Sequence, residues 1–261
     1  MPKLNIRVVK NSSDLAAAAA DAVIDAANAA IQARGRFTIA LSGGSTPEKA
    51  YELLAQPPRV AQIDWSRVHI IFGDERFVPL DDPRSNYGMA ARTLLAHVPI
   101  PRSQILVVPT DMASANAAAQ AYCNLVASHW AMNPADFPPK LDLILLGLGD
   151  DGHTASLFPG KSSLDEHRAW FIHSAPGVLP PPVERITATF PLLNAGRLVI
   201  FLVAGEKKKD IVHAVLTDQS HKYPAARISP DGGNVLWLLD AAANGMGQQA
   251  AINSFFREAN P

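Results

Sequence analysis

Residues 141–160, LDLILLGLGDDGHTASLFPG, set Asp150, Asp151 and His153 into one glycine-rich turn. An imidazole with an ordinary pKa of about 6.5 can take a proton from water near neutral pH. A carboxylate beside it can orient the ring. The turn follows an apolar run, residues 141–148, interrupted only by Asp142. That length and branching predict a buried parallel strand rather than a helix. Gly147, Gly149 and Gly152 bend the chain just past the strand, and Pro159 and Gly160 stop any helix beyond it. Ligands of open α/β sheets bind at the carboxyl ends of strands, which is where this turn lies. Gly147, Gly149 and Gly152 also match the dinucleotide pattern G-x-G-x-x-G. Two aspartates inside that loop would repel a pyrophosphate, and Pro159 leaves no length for the helix that should hold it. A plain turn with a solvated acidic pair and a surface histidine is the simpler alternative. The whole constellation at a strand end favours a catalytic loop.

Three other clusters carry chemistry. Ser42, Gly43, Gly44, Ser45 and Thr46 separate an apolar run from Pro47, a residue suited to the first turn of a helix. Ser45 or Thr46 is the expected cap, and Ser45 with Glu48 fits a capping box. Glycines before a helix start leave backbone N–H groups free at the positive end of its dipole, an anion site suited to phosphate. The loop serves equally as a simple capped turn. It lacks the lysine and spacing of a P-loop, so a nucleoside triphosphate is not implied. Gly73-Asp74-Glu75-Arg76 places charge at another strand end, where a surface ion pair is the plainer reading. Lys207, Lys208 and Lys209 stand at a helix start, against the dipole, as an anion nearby or a solvated basic patch would explain. The chain contains neither a G-x-S-x-G nucleophile elbow nor an H-E-x-x-H zinc motif.

The elements that must position these residues alternate. Strands are expected at 4–9, 37–41, 68–72, 105–108, 141–148, 170–173, 184–190, 198–203 and 235–239. Helices are expected from Ser12, Ser13 or Asp14 as cap to Arg34, after Pro47, from a Ser85 or Asn86 cap to Leu95, over 113–132, and over 241–257. A four-proline loop spans 176–182. This order predicts one doubly wound, mostly parallel sheet with helices on both faces, built as a single domain over residues 1–261.

Composition narrows the function. Of 261 residues, 48% are hydrophobic, enough for one large core. The charge balance of 23 basic and 24 acidic residues argues against a nucleic-acid or membrane-surface partner. Cys123 is the only cysteine, so no internal disulfide can form. The start MPKLNIRVVK has no secretory h-region, and no apolar run can span a bilayer. A cytoplasmic location is expected. Nothing in the pattern specifies an oligomeric state.

Five stretches together carry a family resemblance: LSGGSTPEKAYELL, FGDERFVPLDDPRSNYGMA, LDLILLGLGDDGHTASLFPG, ERITATFPLLNAGRLVIFLVAGEKK and YPAARISPDGGNVLWLLD. They run in order over residues 41–240, and the chain resembles the glucosamine-6-phosphate isomerase/6-phosphogluconolactonase family. On its lactonase side the resemblance implies hydrolysis of 6-phospho-D-glucono-1,5-lactone without a cofactor or metal. It implies His153 as general base, with Asp74, Glu75 and Arg76 lining the same site. Ser42 through Thr46 would form part of the phosphate pocket, and Arg185 and Lys208 its cationic side. Asp151 or Asp74 would orient the imidazole, and an arginine or backbone N–H groups would stabilise the oxyanion. Lys207 and Lys209 have no counterpart in the pattern. The deaminase branch resembles DGHIAFNEP after the shared D-G-H, with an acid before the proline. Phe158 stands there in this chain, and a phenyl ring cannot move a proton. A sensor protein on the same fold would need a DNA-binding module, for which residues 4–257 leave no room.

Overall fold

A computed structural model describes residues 3–176 and 182–245. Strand β1 (Lys3–Val9) leads into helix α1 (Ser12–Arg34). The cap of α1 is Asn11, one residue before the expected candidates; its side chain accepts from Ser13 and Asp14 N–H, both at 2.9 Å. Asn11 prevails because a cap must still have extended backbone, and Ser12 is already helical. Leu15, Val23 and Ile24 face inward, and six alanines beside them are buried too. Their small side chains let α1 lie close against its neighbours.

Next come β2 (Phe37–Leu41), α2 (Ser45–Leu54), β3 (Val68–Phe72) and a short strand β4 (Asp74–Arg76). Helix α3 (Asn86–Ala90) is capped by Ser85 and continues in a wider-wound turn, Ala91–Leu95. Helix α4 (Ala115–His129) precedes β5 (Leu143–Leu146), β6 (Phe171–Ser174) and β7 (Arg185–Ala188). The chain then forms α5 (Phe190–Leu193), β8 (Leu198–Val203), α6 (Lys209–Leu216) and β9 (Asn234–Asp240). Residues 241–245 turn rather than open a helix, and the rest of the expected closing helix lies outside the described residues. So does most of the four-proline loop.

Six parallel strands form the main sheet in the order β1-β9-β8-β5-β2-β3. Helix α1 packs on β2, β9 and α2. All residues of β2 and β5 are buried, as covering on both faces requires. The expectation of one sheet needs correction. Strands β4, β7 and β6 form a separate antiparallel sheet, with α4 packed against β6 and β7. The strand expected at 105–108 is also absent. Leu106 N–H reaches Ile70 C=O at 2.9 Å, but the chain turns away at once through Thr110 N–H to Val108 C=O.

From β2 the chain moves one way to β3, then returns to the other side of β2 for β5 and onward to β8 and β9. The β2–β5 boundary is therefore the topological switch point, where open α/β sheets bind ligands. Asp142, the polar interruption of the apolar run, ties this boundary at its amino end. Its carboxylate accepts from Thr38 N–H at 2.8 Å, Thr38 Oγ1 at 2.9 Å and Arg34 Nε at 2.9 Å. At the other end of β3, the buried Tyr122 hydroxyl accepts from Phe72 N–H (2.8 Å) and donates to Leu106 C=O (3.0 Å). Removing the Asp142 carboxylate strands a buried donor pair and an arginine. Asp142→Ala is expected to lower unfolding free energy by about 3 kcal/mol in a urea titration.

Candidate active site

The loop after β2 is fastened to α2. Ser42 N–H donates to the Tyr51 hydroxyl at 3.1 Å, and that hydroxyl donates to Ser42 C=O at 3.0 Å. The expected caps do not form. Gly44 occupies the cap position of α2, no side chain caps the helix, and the Ser45–Glu48 box is absent. The first N–H groups of α2 are thus uncommitted to side chains, at a cleft lined by Ser42, Gly43, Gly44, Ser45 and Thr46. The buried Ser42 Oγ likewise has no hydrogen-bond partner among the described residues. Gly43 is sterically required: a Cβ there would lie 1.9 Å from Asn86 Oδ1.

Asn86 lines the same cleft, and the sequence suggested only a helix cap for it. Its amide donates to Asp74 C=O at 2.9 Å and to Asp74 Oδ1 at 3.2 Å. The other carboxylate oxygen of Asp74 accepts from the buried Ser156 hydroxyl at 2.6 Å. Asp74 and Arg76 both line the cleft. Glu75 does not, contrary to expectation. It is fully buried and accepts from the backbone N–H groups of Arg76, Asn86 and Tyr87, each at 2.7 Å, and from Ser85 Oγ at 3.1 Å. Burial pushes its carboxyl above the usual range, against the lowering effect of those hydrogen bonds. The alternation of β4 explains the split, since Asp74 and Arg76 share one face and Glu75 takes the other.

Arg185 lies opposite Arg76 in the β4–β7 ladder. It too is not a cleft-lining residue. Its guanidinium stacks over Phe158, 5.6 Å from the ring centroid, and its buried Nε has no hydrogen-bond partner among the described residues. Desolvation draws its pKa below the ordinary arginine value. Arg76 donates from Nη1 to Arg84 C=O at 2.6 Å, and its own buried Nε has no partner among the described residues.

After β5 the turn closes on itself, with Gly149 N–H on His153 C=O at 2.9 Å. Asp151 Oδ1 meets His153 Nδ1 at 2.5 Å and also accepts His153 N–H at 3.1 Å. Asp151 is therefore the acid that orients the ring; Asp74 is occupied with Ser156 and Asn86. A Cβ on Gly149 would fall 2.0 Å from His153 Nδ1, so only glycine admits the imidazole here. His153 faces the cleft, and its ring rests 4.5 Å from that of the buried Phe158. Lys208 enters from beyond β8. Its ammonium donates to Leu148 C=O at 2.7 Å and pairs with Asp150. Buried Asp240 fastens that loop by accepting Gly205 N–H at 3.0 Å and Ala243 N–H at 2.8 Å. Lys209 lies along Gly245, while Lys207 is exposed.

Residues far apart in sequence thus meet in one cleft of about 350 Å³: an open helix N-terminus, Asp74, Arg76, Asn86, Asp150, Lys208 and His153, whose partner Asp151 is not a cleft-lining residue. Among the described residues, no group of three or more His, Cys, Asp or Glu is arranged to hold a metal ion. None of the described helices is long and apolar enough to cross a membrane. Asn86, Ser156 and Asp240 had no chemical signature in the sequence beyond their place in the shared stretches.

A doubly wound α/β protein with a polar cleft at its sheet's switch point is the class that fold and site define. The sequence profile of glucosamine-6-phosphate isomerases/6-phosphogluconolactonase matches residues 10–237, and the chain belongs to that family. It is 39% identical over 244 residues to a 6-phosphogluconolactonase of Nostoc sp., covering 92% of this chain and 97% of that protein. A 6-phosphogluconolactonase of Synechocystis sp. is 42% identical over 217 residues, 82% of this chain and 86% of that one. The solved 6-phosphogluconolactonase from Trypanosoma cruzi superimposes with a TM-score of 0.83 at 29% identity, over 93% of this chain and 96% of that one.

The buried position of Glu75 makes a test. Glu75→Gln replaces an acceptor with an amide N–H facing backbone donors, and should cost roughly 2–3 kcal/mol of stability by denaturant titration. A direct substrate contact would instead lower activity and leave stability unchanged.

Proposed function

We propose that the protein hydrolyses 6-phospho-D-glucono-1,5-lactone to 6-phospho-D-gluconate, the second step of the oxidative pentose phosphate pathway. One observation carries this reading: His153, hydrogen-bonded to Asp151 from outside the cleft lining, shares a cleft with the uncapped N-terminus of α2 and with Lys208. Asp151 holds Nδ1, which leaves Nε2 as the position that accepts a proton from water. The water adds to the lactone carbonyl, and the carbonyl oxygen takes the developing negative charge. Arg76, whose buried Nε has no partner among the described residues, is suited to stabilise it. Collapse of the tetrahedral intermediate breaks the ring C–O bond, and the histidine returns its proton to the leaving oxygen. The phosphate binds at the N–H groups of residues 44–46 and at Lys208, and so orients the carbonyl. Arg185 stands behind Phe158 and adds positive potential without reaching the cleft.

Phe158 is buried between His153 and Arg185, and no carboxylate occupies residues 154–158 to assist sugar-ring opening by proton transfer. That supports lactone hydrolysis over deamination of glucosamine 6-phosphate. The single cysteine, Cys123, free and buried, fits a cytoplasmic enzyme.

The purified protein should accelerate opening of fresh lactone above its spontaneous rate and release no ammonia from glucosamine 6-phosphate. His153→Ala should lower kcat by about two to four orders of magnitude. Ammonia release without lactone hydrolysis would assign the chain to the deaminase branch. Lys208→Ala should raise KM for the phosphorylated lactone by about 10- to 100-fold, the value of a charge-assisted contact. It should leave KM for unphosphorylated gluconolactone unchanged; an equal effect on both would remove Lys208 from the phosphate site.

A further inference from the structure

Asp150 and Asp151 are adjacent, yet the fold gives them different partners. Asp151 belongs to His153. Asp150 pairs with Lys208, and this is its one side-chain hydrogen bond among the described residues. The Asp150 side chain is 61% exposed, that of Lys208 25%, and both residues line the cleft. An ammonium has three N–H donors. Leu148 C=O takes one at 2.7 Å and Asp150 takes another. The backbone carbonyl already fastens the lysine at the cleft, so Asp150 is not needed to place it. What Asp150 does is occupy a donor and cancel the charge that an arriving phosphate would meet.

We propose that Asp150 limits the affinity of the site for phosphorylated ligands by competing for Lys208, and limits it most for the hydrolysed product. This rests on the phosphate-binding reading given above. A phosphate carries nearly two negative charges at neutral pH. Hydrolysis adds a carboxylate, so the product is the more anionic ligand and feels a fixed negative charge more strongly. A competing carboxylate in the cleft therefore weakens product retention and favours turnover. Asp150 acts through the charge of the lysine and makes no contact to the reacting atoms.

The test uses Asp150→Asn, with Asp150→Ser as a second variant, in the full chain. The probes are the phosphorylated lactone, 6-phospho-D-gluconate as product inhibitor, and unphosphorylated gluconolactone. The KM of the first and the Ki of the second should fall by about two- to fivefold, the range of a partly exposed ion pair. The Ki should fall at least as far as the KM, and the KM of the unphosphorylated lactone should not move. In a Lys208→Met background the gain should disappear. A KM and Ki that stay constant or rise in both variants, or a gain that survives loss of Lys208, would overturn the proposal. Lys208→Met alone separates the two levels. If it discriminates phosphorylated from unphosphorylated lactone while the Asp150 variants bind no tighter, only the role of Asp150 falls. If it does not discriminate, the phosphate assignment itself falls.

Discussion

The site depends on the lateral pairing of β2 with β5. Ile39 pairs with Leu143 and Ala40 with Ile144, and the strands are parallel. Parallel strands end together, so the loop that follows Leu41 and the loop that follows Leu146 emerge side by side. One brings an open helix N-terminus, the other the His153 turn. A slip of one residue would turn every side chain of a strand to its opposite face. Asp142 opposes such a slip because its carboxylate can receive both Thr38 N–H and Thr38 Oγ1 only in one register. A buried carboxylate is costly when unpaired, so the arrangement with Arg34 and Thr38 excludes its neighbours by several kcal/mol.

A second buried polar network joins the two sheets. Asp74 begins β4 in the small sheet, and Ser156 follows the His153 turn from the main one. The Ser156–Asp74–Asn86 chain links the His153 turn, the acidic strand and the start of α3. Ser156 N–H reaches Thr187 Oγ1 at 3.1 Å, and Ser174 Oγ donates to Ser156 C=O at 2.6 Å, so β6 and β7 join the same network. Glu75 extends it on the opposite face of β4 by accepting from the Ser85 hydroxyl and from the backbone N–H groups of Asn86 and Tyr87. Groups that look like site residues in a linear reading are therefore divided. Asp74 and Arg76 face the cleft, and Glu75 builds the wall behind them.

Charges in and around the cleft are arranged in pairs. Asp151 engages Nδ1 of His153. Asp150 engages Lys208. Arg76 and Arg185 stand opposite each other across β4 and β7, two like charges that a cross-strand pair would ordinarily avoid. Asp74 and Glu75 offset them. Phe158 separates the imidazole of His153 from the guanidinium of Arg185.

Local chemistry was readable from the chain. Periodicity marked β2, β3 and β8 over their full observed spans, and α1 to within one residue of its cap. Runs of branched apolar residues and helix breakers act through nearest neighbours, so they survive in a linear reading. The turn around His153 and the glycine-rich loop after β2 were equally plain, because glycines, a histidine and carboxylates at a strand end have few other uses. Tertiary structure decided everything that depends on which partner a group finds. Residues 105–108 have strand composition but turn away after a single bridge to β3. Strands 171–174 and 185–188 left the main sheet because they pair antiparallel with each other, and 185–188 also with β4, a strand too short to show a period. Ser45 lost its capping role to Gly44, Glu75 went inward, Arg185 went behind Phe158, and Asn86 entered the cleft. Residue type sets which bonds a side chain can make, and only the folded arrangement determines which are made.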